Sequence, residues 1–114
     1  MMKKKIKNFI FKLLRIDFFG DHYFINNLKK DSIVLDLGAG GPEALDKFLK
    51  KYPACRIILI EAHPHLCGEL TLKFKNRNNI EIFNAAIGGQ SKDSVKLYLS
   101  NSWCFNSIYK LANN

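Results

Sequence analysis

Asp36, Glu61 and Asn84 are the side chains of this sequence best suited to chemistry, because Asp36 stands near the end of one apolar run and Glu61 and Asn84 each follow another. The first run continues as Asp36-Leu37-Gly38-Ala39-Gly40-Gly41-Pro42-Glu43. Branched apolar residues followed by glycines read as a buried strand that turns tightly into a helix. Pro42 suits the first helical position, where its missing N–H costs nothing. Such a turn is expected to present free backbone N–H groups and the positive end of a helix dipole to a ligand above the sheet. Glu61 ends the run Arg56–Ile60, about twenty residues further on, where a carboxylate can accept two hydrogen bonds from a ribose diol. Asn84 follows Ile80–Phe83, and its amide can pair with adenine's amino group and a ring nitrogen. The alternative for Asn84 is a turn-capping role, and the alternative for the whole pattern is a strand–turn–helix without a ligand.

The details of the turn select among adenosine-containing ligands. A dinucleotide fingerprint, G-x-G-x-x-G, has its third glycine where this chain has Glu43, and an acidic group there repels a pyrophosphate. Asp36 is equally foreign to that fingerprint. It suits a ligand with a positive end, such as S-adenosylmethionine with its sulfonium and amino groups. Opposite unit charges about 4 Å apart attract by roughly 4 kcal/mol at an effective dielectric near 20, so an acid-lined pocket favours that cation.

Three stretches together resemble the successive motifs of the FkbM family of S-adenosylmethionine-dependent methyltransferases. They are Asp36-Leu37-Gly38-Ala39-Gly40-Gly41, Glu61-Ala62-His63-Pro64 and Asn84-Ala85-Ala86-Ile87-Gly88. The resemblance runs from about Ser32 to about Ile108. It implies a Rossmann-like class I methyltransferase fold, a three-layer α/β sandwich on a mainly parallel sheet. It also implies methyl transfer to an oxygen of a sugar or glycan-like small-molecule acceptor. By the same resemblance Asp36, Gly38, Ala39, Gly40, Glu61, Ala62, Asn84 and Ala85 hold the cofactor, with Ala62, Asn84 and Ala85 at the adenine. In two respects the chain departs from the family. Gly40-Gly41-Pro42 replaces the usual Asn-x-Gly, and the Lys-x-Asp-x-Glu-Gly motif of the family's next strand is absent, so a partial domain is expected. No residue stands out as a catalytic base. His63 and His65 flank Pro64, at the ribose rather than at the methyl group. The alternatives are a catalytically inactive binding module on the same fold and a basic adaptor for membrane or RNA.

The elements that must position these residues follow from periodicity. Leu45, Phe48, Leu49 and Tyr52 recur at helical spacing, acids precede lysines along that helix, and Pro53 stops it. Leu66, Leu70 and Phe74 mark a second helix that starts at Pro64 and is expected to end at Asn78-Asn79. Ser94–Leu99 alternates with period two and is expected as an antiparallel strand beside Ala85–Ile87. The segment Asn101–Tyr109 resembles the Ser/Asn-rich stretch that covers the cofactor in the family, with Asn106 or Ser107 near the sulfonium. Burial of Trp103 and Phe105 explains it equally well.

The bulk properties set the frame. With 114 residues, 47% hydrophobic and 25% charged, the chain suits one modest core. Mean hydropathy is −0.11, and no uninterrupted apolar stretch approaches the length that spans a bilayer. Cys55, Cys67 and Cys104 lack C-x-x-C pairing, and with His22, His63 and His65 they lack zinc-ligand spacing. They read as incidental thiols of a cytoplasmic protein. The expected division is residues 1–30, a basic amphipathic helix and connector, then residues 31–114, the cofactor domain.

Part of the net charge of +8 falls in residues 1–15. Ile6, Phe9, Ile10, Leu13 and Leu14 share one helical face, which Lys4, Lys5, Lys7, Lys12 and Arg15 largely flank. Two readings compete. One is weak peripheral contact with an anionic membrane; the other, favoured here, is packing on the chain's own domain. Asp17–Lys30 reads as a connector with Gly20 and Asn26-Asn27 as turn signals. No RNA- or DNA-binding signature accompanies the scattered lysines, so no specific nucleic acid partner is expected.

Overall fold

The computed structural model describes residues 2–14, 16–19, 22–25, 27–100 and 107–108. Trp103, Cys104, Phe105 and Asn106, singled out above, lie outside the described residues. The elements in chain order are α1 (Met2–Leu13), β1 (Ile16–Phe19), β2 (His22–Ile25), β3 (Ile33–Leu37), α2 (Glu43–Lys51), β4 (Arg56–Ile60), α3 (Pro64–Phe74) and β5 (Ile80–Phe83). They fall into two compact units, Met1–Ser32 with Glu43–Cys55, and Ile33–Pro42 with Arg56–Asn114.

The first unit holds α1, α2 and an antiparallel hairpin of β1 and β2, paired from Ile16↔Ile25 to Phe19↔His22. The sequence was expected to form a connector here. Ile16, Phe18, Phe19, Tyr23, Phe24 and Ile25 are strand formers, and Gly20-Asp21 between them is the two-residue spacing of a hairpin. In α2, Leu45, Phe48 and Leu49 are buried, with Glu43 and Asp46 in the first turn and Lys50 and Lys51 in the last. That charge order complements the helix dipole. Pro42 precedes the helix, which stops at Lys51, two residues before Pro53. The residue before a proline is pushed out of the helical region. Phe48 and Tyr52 pack with their rings tilted by 39° and the centroids 5.0 Å apart. Cys55 is buried and donates from Sγ to the Lys29 carbonyl at 3.2 Å. Burial, and then the negative charge of Asp31, push the Cys55 thiol above its ordinary value of 9.0. It therefore stays protonated, and a poor nucleophile, at neutral pH. α1 lies against β1, as packing on its own unit predicts, but not through the expected face: Ile6, Phe9, Ile10, Leu13 and Leu14 are all exposed.

The second unit is a three-stranded, all-parallel open sheet in the order β3-β4-β5, with α3 lying against β5. The chain is thus an α/β arrangement with three helices among its described residues. The register sets Val34 beside Ile57 beside Ile80, and Leu35 beside Ile58 beside Glu81. Successive residues point to opposite faces, so these rows belong to the two different faces of the sheet. Ile57 and Leu59 are fully buried, as is Leu70 of α3. Across the sheet, Ile33, Leu35 and Leu37 remain exposed where a three-layer sandwich would set a helix.

Two boundaries differ from expectation. α3 ends at Phe74, because the backbone there tightens into a turn in which the Arg77 N–H donates to the Phe74 carbonyl at 2.9 Å. No strand forms over Ser94–Leu99. Tyr98 instead pairs with Ser107 in a single antiparallel bridge, its two bonds 2.8 and 3.1 Å long. Val95 and Leu99 are exposed, and of this alternating face only Leu97 is half-buried, so no continuous apolar surface holds the segment as a strand.

Candidate functional site

Parallel strands finish on the same side, and a cleft of 650 Å³ opens at the carboxyl ends of β3, β4 and β5. This is the edge where open α/β sheets bind ligands, and the volume is that of a small-molecule site. Leu37, Gly38 and Gly40 line it from the end of β3, and Ile60 through His63 from the end of β4. Leu66 adds the first turns of α3, and Ala85 through Gly88 the stretch after β5. Leu97, Ser107 and Ile108 complete the wall, so most of the lining is apolar.

Glu61 governs the geometry of this cleft. It is the one buried charged residue among those described, 7% exposed, and burying a carboxylate is costly without partners. Its Oε2 accepts the Gly40 N–H at 2.8 Å and its Oε1 accepts the His63 N–H at 2.7 Å. These charge-assisted bonds tie the glycine turn after β3 to the loop that leads into α3. Just upstream, the Gly38 and Ala39 N–H groups both donate to the Ile60 carbonyl, at 2.8 and 3.3 Å.

The expected free N–H cradle is therefore closed. The N–H groups of Gly38, Ala39 and Gly40 all have partners within the protein. The cause is local: Gly38 and Gly40 adopt φ of 78° and 63°, which turns the chain back toward β4 and the Glu61 carboxylate. A side chain added at Gly38 meets no atom within 4 Å, so only the backbone conformation requires glycine there. A phosphate entering at Gly38–Gly40 would meet the Glu61 carboxylate, with these three N–H groups already engaged.

Of the eight residues predicted to hold a cofactor, the structure brings Gly38, Gly40, Glu61, Ala62 and Ala85 to the cleft wall. Asp36, Ala39 and Asn84 do not line it. Asp36 is half-buried and sits in the row of Leu59 and Ile82, on the sheet face opposite Leu37. Ala39 is buried in the turn. Asn84 uses its side-chain Nδ2 to donate to the Glu61 carbonyl at 2.9 Å and to the Ala62 carbonyl at 3.2 Å, so it braces the end of β5 against the end of β4.

His63 has a structural role. It is the N-cap of α3: Nδ1 accepts the His65 N–H at 3.2 Å and Pro64 occupies the first turn. Proline at that position is the sequence signal for the cap. His65 points elsewhere, toward Glu69 at 3.4 Å on the exposed helix surface. Ile87, Leu97 and Ile108 line the cleft without any local signal. The last two are set by the bridge between Tyr98 and Ser107, a pairing that no periodicity announces. Among the described residues no group of three or more His, Cys, Asp or Glu could hold a metal ion, and no helix is long and apolar enough to cross a membrane. No family model, curated protein or solved structure matches this chain.

Proposed function

We propose that the cleft binds S-adenosylmethionine and that the chain is the cofactor-binding part of a Rossmann-like, FkbM-type O-methyltransferase acting on a sugar or glycan-like acceptor. The observation that carries the nucleoside site is the buried Glu61 carboxylate, which fills the glycine turn at the carboxyl edge of a parallel sheet; the methyl transfer and its acceptor are what the FkbM resemblance implies. A turn already holding an anion disfavours nucleotide phosphates and favours a nucleoside whose other end is positive. Each Glu61 oxygen accepts one backbone bond and retains a further lone pair, so the same carboxylate can still receive ribose hydroxyls. The apolar walls around Ile60, Leu66 and Ile87 suit a flat heteroaromatic ring. Methyl transfer from a sulfonium to an oxygen asks the protein mainly for alignment and for stabilisation of shifting charge.

A second reading has its own support. The titratable side chains that line the cleft, Glu61 and His63, are both engaged in holding backbone, and Asp36 stays outside. That arrangement suits a binding module that holds the nucleoside without chemistry.

Calorimetry with S-adenosylmethionine, S-adenosylhomocysteine and ATP tests the first claim. The expected result is saturable binding of the two sulfur nucleosides, none of ATP, and at least about a tenfold loss in Glu61→Gln, the size of one hydrogen bond to a charged group. Binding of ATP alone, or of nothing by a folded chain, overturns it. Asp36→Ala is expected to leave nucleoside binding unchanged. A turnover assay on candidate glycan acceptors then separates the enzyme from the module.

A further inference from the structure

We infer that α1 is a membrane-surface helix whose apolar stripe enters the headgroup boundary of an anionic bilayer. Ile6, Phe9, Ile10 and Leu13 fall at the i, i+3, i+4 and i+7 positions of one stripe and are between 44% and 71% exposed. A stripe at this spacing ordinarily covers a core. α2 shows the contrast within the same chain, since its Leu45, Phe48 and Leu49 are buried. Among the described side chains of α1 the half-buried one is Phe11, which stands roughly 140° around the helix from Ile6 at the usual 100° per residue. The helix therefore turns its apolar stripe outward.

The charges around that stripe name its partner. Lys5 and Lys12 flank it on one side and Lys7 on the other, all three exposed, and the helix sequence contains no acidic residue. Lysines beside an apolar stripe can keep their ammonium groups at acidic headgroups while the stripe is buried. A second copy of α1 would set lysines against lysines. RNA would satisfy the lysines and leave Phe9 and Leu13 in water. At 1.5 Å per residue the 12-residue helix is about 18 Å long, too short to span the roughly 30 Å hydrocarbon core, so it lies along the surface.

Co-sedimentation of the full chain with vesicles tests this, using phosphatidylcholine alone and phosphatidylcholine mixed with phosphatidylglycerol. Partition onto the mixed vesicles is expected, with much less onto phosphatidylcholine. The triple substitution Lys5→Gln, Lys7→Gln, Lys12→Gln should weaken it about a hundredfold, at about tenfold or less per lysine near an anionic surface. Phe9→Ser with Leu13→Ser should weaken it at least about tenfold through lost apolar burial. All five side chains are exposed, so both variants should keep the native circular dichroism. The native protein reads the same division without substitution, because salt removes the electrostatic part of binding and leaves the apolar part. Three results overturn the proposal. The first is no binding by the native chain. The second is binding that the serine variant keeps and an RNA oligonucleotide abolishes, which makes α1 a polyanion site. The third is a native dimer that the serine variant dissociates while vesicles fail to compete, which makes the stripe a contact between copies.

Discussion

The two faces of the β3-β4-β5 sheet are built from similar residues and meet different surroundings. On one face Ile57 and Leu59 are fully buried, with Val34, Ile80 and Ile82 half-buried in the same rows. On the other, Ile33, Leu35, Leu37 and Phe83 stay between 49% and 61% exposed around half-buried Ile58 and Ile60. Parallel strands are usually covered on both faces, and a strand reading Ile-Val-Leu-Asp-Leu has the apolar character for both. The same residue type therefore differs in energetic weight according to its parity along the strand. The site follows this parity as well: Leu37 reaches the cleft, while Asp36, its neighbour, belongs to the buried face.

Truncating one leucine on each face tests that difference most directly. Leu59→Ala is expected to cost about 3 kcal/mol, within the range for a large core side chain replaced by alanine. Leu35→Ala, on the exposed face, should cost less than about 1 kcal/mol, since little apolar area leaves contact. Urea unfolding of both variants at constant m-value reads the two costs. Equal losses would mean that the exposed face is covered in solution.

Next in size is Glu61, where the buried interior reaches the cleft. Glu61→Ala leaves the Gly40 and His63 N–H groups without their acceptor, and each unmet donor costs about 1–3 kcal/mol. A loss of about 2–3 kcal/mol is expected, with Glu61→Gln recovering part of it through its remaining carbonyl oxygen. A variant as stable as the native protein would show that water replaces the carboxylate, and that the turn is open to ligand donors and acceptors alike.

Much of this architecture is readable along the chain, and the exceptions have physical causes. The strand of Ile33–Leu37, the helix that stops ahead of Pro53, the strand before Glu61 and the helix begun by Pro64 are local patterns, and each forms close to where periodicity and proline set it. The hairpin of β1 and β2 was equally local, yet four aromatics around Gly20-Asp21 resemble packing residues as much as strand residues. What could not be read was long-range. The Tyr98–Ser107 bridge, the closure of the N–H cradle by Glu61 and the binding of Asn84 to two carbonyls all depend on partners nine to 23 residues away in sequence. Spacing put Glu61 at the right edge of the sheet. That its oxygens turn toward backbone N–H groups depends on the positive φ of Gly38 and Gly40, which sequence permits without requiring.

The smallest expected effect serves as the finest probe of the sheet's exposed face. Arg56 and Glu81 pair across β4 and β5 on that face, with Nε at 2.9 Å and Nη2 at 2.6 Å from the same carboxylate oxygen. Their side chains are 56% and 42% exposed, so water screens the attraction and holding two long side chains in register offsets part of it. A double-mutant cycle with Arg56→Ala and Glu81→Ala should return a coupling of less than about 1 kcal/mol, shrinking further as salt is added. The same pair beneath a covering layer would lie in a lower dielectric, where charges at this distance interact several times more strongly. A coupling clearly above 1 kcal/mol that resists salt would therefore contradict an open face, independently of the leucine truncations. The weak, salt-sensitive value would fix the solvent-facing side of the sheet as the side of Arg56 and Glu81.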